Sequence, residues 1–472
     1  MLLPKKLRVI IILFLLVDLA ISFNQYYNTP IDGDLTSIVL PAEKYRSVLN
    51  DPIGVSAISS NTKHGDTNRF FSIATTFAYF KTIPFVSQLV MSPISSIYFS
   101  SALLKLLIHI FIVLLLSTYI TGRLNFKDDK FILSSLLITI FFQVGGYGST
   151  MGIIDSAISY SISYSLPLAF VLLLLFPLAL NHFHDKKVKL NLTTTLIYSF
   201  VACIVAFFGS QIPILVVSLM LLLLLAKFID FKRNFNLSNL IIDKRYRFIL
   251  LILLTFCLYS LVLSFYNNER NLLDISIFES YKKIPIGLFN IFFGKPGLWI
   301  LVILILTNTI VLKKSGSQNF SSFAKTLKWA SVFILIFVLL LPVDGYYEFR
   351  PNIIRRDNFL PCILLLVFLF VQSAIYLVEH YKNEDKIRLI TSYLLVVILL
   401  FTIADSPSLR KDNCQRASLE MLTLSDDKIT RLSDQCTIAS WYIIYDSNDS
   451  EVNANVFNYW NITDKPKLYY QN

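Results

Sequence analysis

Long apolar runs, separated by short polar connections, dominate the pattern of hydrophobic and polar positions along this chain of 472 residues. Runs of about 14 to 25 apolar residues recur, and the longer ones are sufficient for a helix to cross the hydrocarbon core of a bilayer. The pattern predicts an all-α polytopic membrane protein with about 11 transmembrane helices. The predicted helices lie at residues 9–23, 97–119, 131–145, 157–181, 194–208, 213–226, 248–266, 298–312, 329–343, 361–378 and 389–404.

Composition agrees with this pattern. Of the residues, 55% are hydrophobic and only 15% are charged, and the mean hydropathy is +0.62. This balance excludes a soluble protein with a charged, water-facing surface. The net charge of +11 would favour a nucleic-acid partner in a soluble chain, but in a membrane protein it must first be divided between the two sides of the bilayer. We therefore expect the membrane as a partner and no nucleic acid.

Basic residues concentrate on one side when the predicted helices alternate in direction. With Lys5, Lys6 and Arg8 at the cytoplasmic face, the cytoplasmic connections hold 22 Lys and Arg against 8 Asp and Glu, whereas the opposite side holds 19 against 22. This positive-inside bias predicts an integral membrane protein with a cytoplasmic N-terminus and a periplasmic C-terminus, and the composition favours a bacterial inner membrane. We interpret the first apolar run as an uncleaved helix, because bulky residues occupy 21–27, where signal-peptide cleavage needs small ones.

The distribution of polar sequence predicts two units. Residues 1–404 form the transmembrane module, with a long first outer loop at 24–96, and residues 405–472 form a small outer-face domain. That C-terminal tail contains 10 acidic and 7 basic residues and an aromatic cluster. Its two cysteines, Cys414 and Cys436, are a candidate disulfide on an oxidising outer side.

Two carboxylates open the first outer loop. Asp32 and Asp34 flank a glycine directly after the first predicted helix. Residues 35–50 then place apolar side chains at near-helical spacing, which predicts an amphipathic helix at the membrane interface with Asp34 as its N-terminal cap. The aromatic-rich stretch that starts at Arg69 predicts a second interface helix.

This arrangement resembles the GT-C superfamily of polyprenyl-phosphate-sugar-dependent glycosyltransferases, in motif terms over about the first 100 residues and elsewhere as architecture. The resemblance implies a GT-C-like helical fold, a lipid-linked sugar donor and a glycan, lipid or protein acceptor. It also implies that an aspartate of the first outer loop is the catalytic base or helps to hold a divalent metal such as Mg²⁺ or Mn²⁺; only Asp32 and Asp34 match that position. The chain has neither the WWDYG motif of oligosaccharyltransferases nor the adjacent Asp-Glu pair of protein O-mannosyltransferases, which leaves the subfamily unassigned.

The chemistry of an inverting sugar transfer suits these acids. A base must take the proton of an acceptor hydroxyl while the lipid phosphate leaves from the opposite face of the anomeric carbon. One of Asp32 and Asp34 would be that base, and the other would orient it or bind a metal. The alternative interpretation is structural, because Asp-Gly pairs are common in turns and aspartates cap helices.

Three arginines form a second candidate group. Arg350, Arg355 and Arg356 precede the helix of the apolar run 361–378, whose start is marked by Asp357 or Asn358 and by Pro361 in the first turn. Guanidinium groups bind phosphate in a bidentate manner, and a helix N-terminus adds partial positive charge, so we predict that these residues hold the donor phosphate. Two neighbouring tyrosines are candidates for lining the cavity or stacking on a sugar: Tyr346 and Tyr347.

The alternative for the arginines is again structural. Arg350 and Arg355 would then pair with Glu348 and Asp357, or the group would contact ordinary anionic lipids.

Charged residues inside predicted helices need a reason to be there, because an unpaired charge in hydrocarbon is costly. Asp18 and Lys105 lie at comparable depths, so we predict that they pair with each other or line the donor or acceptor cavity, together with His109 on the same helix face as Lys105. Asp155 follows the glycine-rich residues 145–152, which predict a loop dipping towards that cavity.

Two other classes of membrane protein remain as alternatives. A secondary transporter or flippase would require several polar residues deep in the helices, and many transporters contain an internal repeat, which we do not find in this sequence. An outer-face polymerase or ligase of lipid-linked glycans would share the arginine group but would not need the acid pair after the first helix.

Overall fold

The computed structural model describes residues 5–142, 151–232, 243–270, 275–294, 296–381, 383–404, 411–433 and 435–471. The helices are α1 (Lys5–Tyr27), α2 (Gly33–Val39), α3 (Glu43–Asn50), α4 (Val55–Ser59), α5 (Phe70–Phe80), α6 (Ile83–Ser87), α7 (Pro93–Thr121), α8 (Asp129–Thr139), α9 (Ile158–Tyr160), α10 (Leu166–His184), α11 (Leu192–Val205), α12 (Gln211–Lys232), α13 (Lys244–Ser264), α14 (Ile277–Phe293), α15 (Gly297–Lys314), α16 (Phe320–Leu340), α17 (Arg356–His380), α18 (Glu384–Ala404), α19 (Asn413–Leu424) and α20 (Glu451–Tyr459). A π-helical turn, Ser161–Ser165, makes α9 and α10 continuous. Two 3₁₀ turns cover Leu341–Asp344 and Ser447–Ser450, and the strands β1 (Ile429–Leu432) and β2 (Leu468–Gln471) pair in parallel.

Nine helices within these described residues are long and apolar enough to cross a membrane, which establishes an all-α polytopic membrane protein. They are α1, α7, α9–α10, α12, α13, α15, α16, α17 and α18. Two predicted helices are shorter than expected. The prediction at 131–145 corresponds to α8, with 11 residues, and the prediction at 194–208 corresponds to α11, with 14. At a rise of about 1.5 Å per residue, neither helix alone spans a hydrocarbon core of about 30 Å.

Helix α17 lies at the centre of the helix bundle. Of its most apolar window, 83% is buried, compared with 17% for α1 at the periphery. It begins at Arg356, directly before the start predicted at Asp357 or Asn358, so the helix extends beyond the apolar run 361–378. A polar contact inside the bundle joins three helices, because Asn308 of α15 donates to Ser373 of α17 at 2.9 Å and accepts from Tyr393 of α18 at 2.9 Å.

Much of the described irregular structure gathers at one end of the bundle, which we call the loop side: residues 28–92, 151–157, 265–270, 275–294, 341–355, 411–433 and 435–471. Direct contacts join these segments. His64 forms a β-bridge with Asn267, and Arg270 donates to the carbonyl of Val343 at 3.0 Å.

The amphipathic helix predicted at 35–50 is two helices. α2 ends at Val39 and α3 begins at Glu43, because Pro41 between them has no backbone N–H to continue a helix. The cap is also different from the prediction: the side chain of Asp32, not of Asp34, accepts from the first turn of α2. The apolar face of α2 is covered by protein and not by lipid, since Leu35 and Val39 belong to the same buried cluster as residues of the C-terminal unit.

The C-terminal unit, described over residues 411–433 and 435–471, folds around the β1–β2 pair and docks on the first loop. Cys414 and Cys436 form a disulfide. Gln415 exchanges hydrogen bonds with the backbone N–H and carbonyl of Ile31, at 2.7 and 3.1 Å, and the buried indole of Trp460 donates to the carbonyl of Phe80 at 3.0 Å. These contacts fix the unit directly over the acid motif.

Candidate functional site

Asp32 is buried and is used structurally on both carboxylate oxygens. Oδ1 accepts from the N–H of Asp34 at 3.2 Å, and Oδ2 accepts from the N–H of Ser159 at 3.1 Å. The first bond caps α2, and the second ties the acid motif to the start of α9. Asp32 therefore holds two chain segments together.

Asp34 has a different environment. Its Oδ1 accepts from the hydroxyl of Tyr45 at 3.2 Å, and the side chain of Trp441 lies close enough to the carboxylate to lower its pKa. Burial, with a further contribution from the negative charge of Asp32, raises the pKa of Asp34 from 3.8 to about 6. A carboxylate whose pKa lies close to neutral pH is suited to accept a proton. Of the two predicted acids, the surroundings favour Asp34 as a base.

The predicted arginine group lies next to the acid motif. The ring of Tyr160, which follows Ser159 in α9, stacks on Trp441 with ring centres 5.4 Å apart. The guanidinium of Arg355 lies 5.0 Å from the centre of the Tyr160 ring. Two regions that are far apart in the sequence thus meet through the aromatic pair Trp441 and Tyr160.

All three arginines of this group are paired with carboxylates. Arg350 contacts Asp344 at 3.5 Å and also donates to the hydroxyl of Tyr164, Arg355 pairs with Asp357, and Arg356 pairs with Asp155. The structural alternative was thus correct for Arg355 with Asp357. Its other half was wrong: Arg350 pairs with Asp344 and not with Glu348, because the turn after the 3₁₀ segment Leu341–Asp344 brings the Asp344 carboxylate to it.

Sequence reasoning missed two further arginines. Arg69, directly before α5, lies 3.2 Å from Asp66, and Asp66 also contacts Lys44 at 3.1 Å. Burial alone would raise the pKa of Asp66, but the positive charges of Arg69 and Lys44 hold that pKa below its ordinary value. Arg270 stacks on Phe265 at 3.7 Å.

Two arginines of the site, Arg270 and Arg350, each have an unused hydrogen-bond donor. Among the described residues, the buried Nε atoms of Arg270 and Arg350 have no hydrogen-bond partner. Burial lowers the pKa of Arg270, whereas Tyr164, Asp357 and Asp344 raise that of Arg350 in spite of its burial. A Cβ atom at Gly345, which has φ +100°, would meet the Arg270 side chain, so glycine permits this close approach. Nothing in the sequence distinguishes Arg69 and Arg270 from ordinary loop arginines.

The other candidate cavity residues fall in two places. Lys105 donates to the hydroxyl of Thr29 at 2.9 Å and to the carbonyl of Ser156, and therefore lies below the acid motif. The segment with Ser156 follows residues 145–150, which lie outside the described part of the chain. Tyr346 and Tyr347 are buried, with Tyr346 beneath the ammonium of Lys283 at 5.2 Å and Tyr347 beside Arg350 at 5.5 Å.

The predicted pairing of Asp18 with Lys105 is wrong. Asp18 accepts from the hydroxyl of Thr139 at 2.6 Å, and His109 contacts the same hydroxyl at 3.1 Å. The long Lys105 side chain instead reaches the loop side at Thr29. Asp18 lies nine residues before the end of α1 at Tyr27, or about 14 Å deeper at a helical rise of about 1.5 Å.

The acid pair does not form a metal-ligand set. No group of three or more His, Cys, Asp or Glu side chains suited to a metal ion occurs among the residues that the structure describes. Both oxygens of Asp32 already accept backbone N–H groups, which leaves Asp34 as one available carboxylate. The residues at this position do not fit a divalent ion without rearrangement.

By its fold the chain is an integral, all-α polytopic membrane protein whose charged site lies at the end of the bundle beneath a folded C-terminal unit. No family model matches the sequence, and neither a curated protein nor a solved structure is similar to it.

Proposed function

We propose that the protein is a GT-C-type inverting glycosyltransferase that moves a sugar from a lipid-phosphate-linked donor to an acceptor at the outer face of the membrane. The observation that carries this proposal is the position of Asp34: a carboxylate with a raised pKa, next to a group of arginines, at the end of a membrane-spanning bundle. In this proposal the loop side faces outward, and the chain also crosses the membrane at α8 and α11, which gives eleven crossings.

Contacts at the ends of α8 and α11 support these two additional crossings. Lys130, at the start of α8, pairs with Glu379 near the end of α17, whereas Asp155 pairs with Arg356 at the opposite end of α17. The chain therefore changes ends between residues 130 and 155. Similarly, Arg245 at the start of α13 donates to the carbonyl of Leu190, which lies just before α11. The carbonyl of Phe207, just after α11, accepts from the N–H of Phe71 on the loop side. These contacts support a crossing at α11.

The proposed reaction uses Asp34 as the base. Asp34 takes the proton of an acceptor hydroxyl as that oxygen forms a bond to the anomeric carbon of the donor sugar. The bond between the anomeric carbon and the phosphate oxygen breaks, and its electron pair leaves with the lipid phosphate. Asp32 does not touch the substrate in this scheme; it positions Asp34 through the cap of α2.

The leaving phosphate requires positive charge. We assign it to the arginines around Tyr347, with Arg350 and Arg270 as the principal ligands and Arg69, Arg355 and Arg356 around them. Arg350 and Arg270 are chosen because each has an unused Nε, whereas Arg355 and Arg356 are held by Asp357 and Asp155. Arginine stabilises phosphate through charge and bidentate hydrogen bonds.

The test is mass spectrometry of lipid-linked and surface glycans from cells that lack the protein or carry the wild type, Asp34→Asn or Asp128→Asn. Asp128 caps α8 through the N–H of Lys130 at 3.1 Å and is far from the site, so it is a matched aspartate control. We expect one sugar residue to disappear in the null, to return with the wild type and Asp128→Asn, and to stay absent with Asp34→Asn.

Identical glycans in all four strains would contradict the proposal. They would direct attention to transport, for which substrate uptake would be measured.

A further inference from the structure

Trp441 occupies an unusual position between the C-terminal unit and the proposed catalytic group. Its side chain lies beside the Asp34 carboxylate, and its ring stacks on Tyr160 at 5.4 Å with an interplanar angle of 28°. A Cβ atom at Gly33 would lie 2.5 Å from the backbone nitrogen of Trp441, so the glycine between the two acids allows this close approach. Part of the tail thus lies directly on the acid motif.

The contacts of Trp441 leave much of its ring uncovered. Trp441 is 51% exposed, and its neighbours Tyr442 and Tyr445 are 62% and 69% exposed. Residues 440–445 therefore present three aromatic side chains outward, the first of them in contact with the proposed base.

The segment is held firmly enough to serve as a binding surface. The neighbouring Ile444 is buried, and its N–H donates to the Gln471 side chain at 3.2 Å. The same unit is tied to α2 by a hydrogen bond of 2.6 Å from Thr36 to Asn453. Trp441 and Asp34 consequently belong to one supported arrangement.

We propose that Trp441, with Tyr442 and Tyr445, forms an acceptor subsite for a pyranose ring, so that the acceptor is a carbohydrate. This inference rests on the proposed transfer reaction. The weakly polar C–H face of a pyranose packs on an aromatic ring, while its hydroxyl groups project from the ring edge towards hydrogen-bond partners. A sugar stacked on the exposed part of Trp441 would place a hydroxyl near Asp34, where the base is needed.

Other occupants of an exposed aromatic segment require different surroundings. A bilayer interface also attracts Trp and Tyr, but there the ring is in contact with lipid. A partly buried carboxylate beside an exposed indole is the environment of a polar, hydroxyl-bearing ligand. The carbohydrate interpretation accounts for both the exposed rings and the adjacent acid.

Saturation-transfer-difference NMR on the full-length protein in nanodiscs tests the subsite without turnover. The probes are the methyl glycosides of glucose, galactose, mannose and N-acetylglucosamine. We expect at least one probe to receive saturation from the wild type, and this signal to fall about fivefold or more in Trp441→Leu. Leucine keeps apolar volume against Gly33 and Tyr160 but removes the ring; Tyr445→Leu, farther from Asp34, provides a second variant and should weaken the signal less.

Trp299 is the matched control, because it is a partly exposed tryptophan, 39% accessible, at the start of the membrane helix α15. Trp299→Leu should leave the saturation signal unchanged. Asp34→Asn should also retain binding, since it removes the base and not the platform. If a glycoside probe binds in the NMR experiment but Asp34→Asn does not change the cellular glycans, the transferase proposal is refuted and the subsite is not.

Three results would overturn the inference. They are no saturation of any probe, an unchanged signal in Trp441→Leu, and quenching of Trp441 fluorescence by brominated phosphatidylcholine, which would place the ring in the membrane interface.

Discussion

Replacing Asp34 with asparagine should make the protein more stable at neutral pH. The pKa of Asp34 rises from 3.8 to about 6 in the folded protein, chiefly because the carboxylate is buried. At about 1.4 kcal/mol per pKa unit, holding this group ionised costs about 3 kcal/mol relative to the unfolded chain. Asparagine avoids that cost but replaces one carboxylate oxygen by an amide, and we count the hydrogen bond from Tyr45 as lost, worth about 1 kcal/mol. The expected net gain is about 2 kcal/mol.

The sign of the pH dependence follows from linkage. Between 3.8 and about 6 the folded protein binds the proton of Asp34 and the unfolded chain has largely released it, so the stability of the wild type falls as the pH rises through this window. Above the window the full cost is present. The advantage of Asp34→Asn should therefore exist at about pH 7.5 and be largely absent at about pH 4.5.

Thermal unfolding in nanodiscs, followed by the fluorescence of the four tryptophans, measures this difference without a substrate. Asp51→Asn is a control of opposite sign. Burial alone would raise the pKa of Asp51, but hydrogen bonds from Ser56 and Ala57 lower it. The ionised Asp51 carboxylate therefore stabilises the fold, and Asp51→Asn should destabilise the protein at about pH 7.5. If Asp34→Asn is no more stable than the wild type at neutral pH, or if its advantage is independent of pH, the argument for Asp34 as a destabilised, reactive carboxylate is refuted.

Four further predictions concern the site and the C-terminal unit. Transfer activity should decline below about pH 6 as Asp34 becomes protonated. Asp32→Asn should move this decline to a lower pH, between 3.8 and 6, because a neighbouring negative charge is removed. The pH–rate profiles of the two proteins measure the shift. Arg270→Gln should weaken binding of the lipid-phosphate donor about tenfold, whereas Arg245→Gln, which also removes a guanidinium bonded to a backbone carbonyl but at the other end of the bundle, should not; donor retained by the purified variants is quantified by mass spectrometry. Chelation with EDTA should leave transfer unchanged, since the acid pair does not form a ligand set, and loss of activity restored by Mg²⁺ or Mn²⁺ would contradict this. Changing both Cys414 and Cys436 to serine should destabilise the C-terminal unit by about 3 kcal/mol, because the disulfide closes a loop with a separation of 22 residues, and hydrogen exchange of residues 411–471 reports the loss.

The sequence predicted much of the helical fold because crossing a membrane imposes a simple length and polarity rule. Each of the eleven predicted membrane helices corresponds to a helix in the structure, but the apolar run at 131–145 also contains the end of α8 at Thr139. An apolar run does not by itself mark such an end, and the partners of Thr139, Asp18 and His109, lie on other helices. The pairing of Asp18 with Lys105 was inferred from depth alone, and depth does not determine which neighbour a long side chain reaches.

Some residues of the candidate site could be predicted from the sequence, and others could not. Asp34 and Arg355 are recognisable from the sequence, because an acid pair after a membrane helix and a cluster of arginines before another are local patterns. Trp441, Arg69 and Arg270 are not, because each is brought to the site by tertiary contacts: Trp441 through the docked C-terminal unit, and Arg270 through its bond to Val343. No spacing rule relates residues that meet only after the chain has folded.

The ion pairs of the site also explain how one buried and two partly exposed arginines are accommodated before a ligand binds. An uncompensated guanidinium in a low-dielectric environment is costly, and Asp344, Asp357 and Asp155 offset that cost for Arg350, Arg355 and Arg356. A phosphate that enters the site must therefore compete with a carboxylate for each paired arginine, and it gains most where a donor atom is unused, at Arg350 and Arg270. Because a phosphate and a carboxylate make similar bidentate contacts with arginine, such an exchange keeps the buried charge compensated throughout binding. The same reasoning separates the two acids of the motif. Both oxygens of Asp32 accept backbone N–H groups, whereas Asp34 accepts from the Tyr45 hydroxyl and has a raised pKa, so Asp34 is the acid suited to gain a proton.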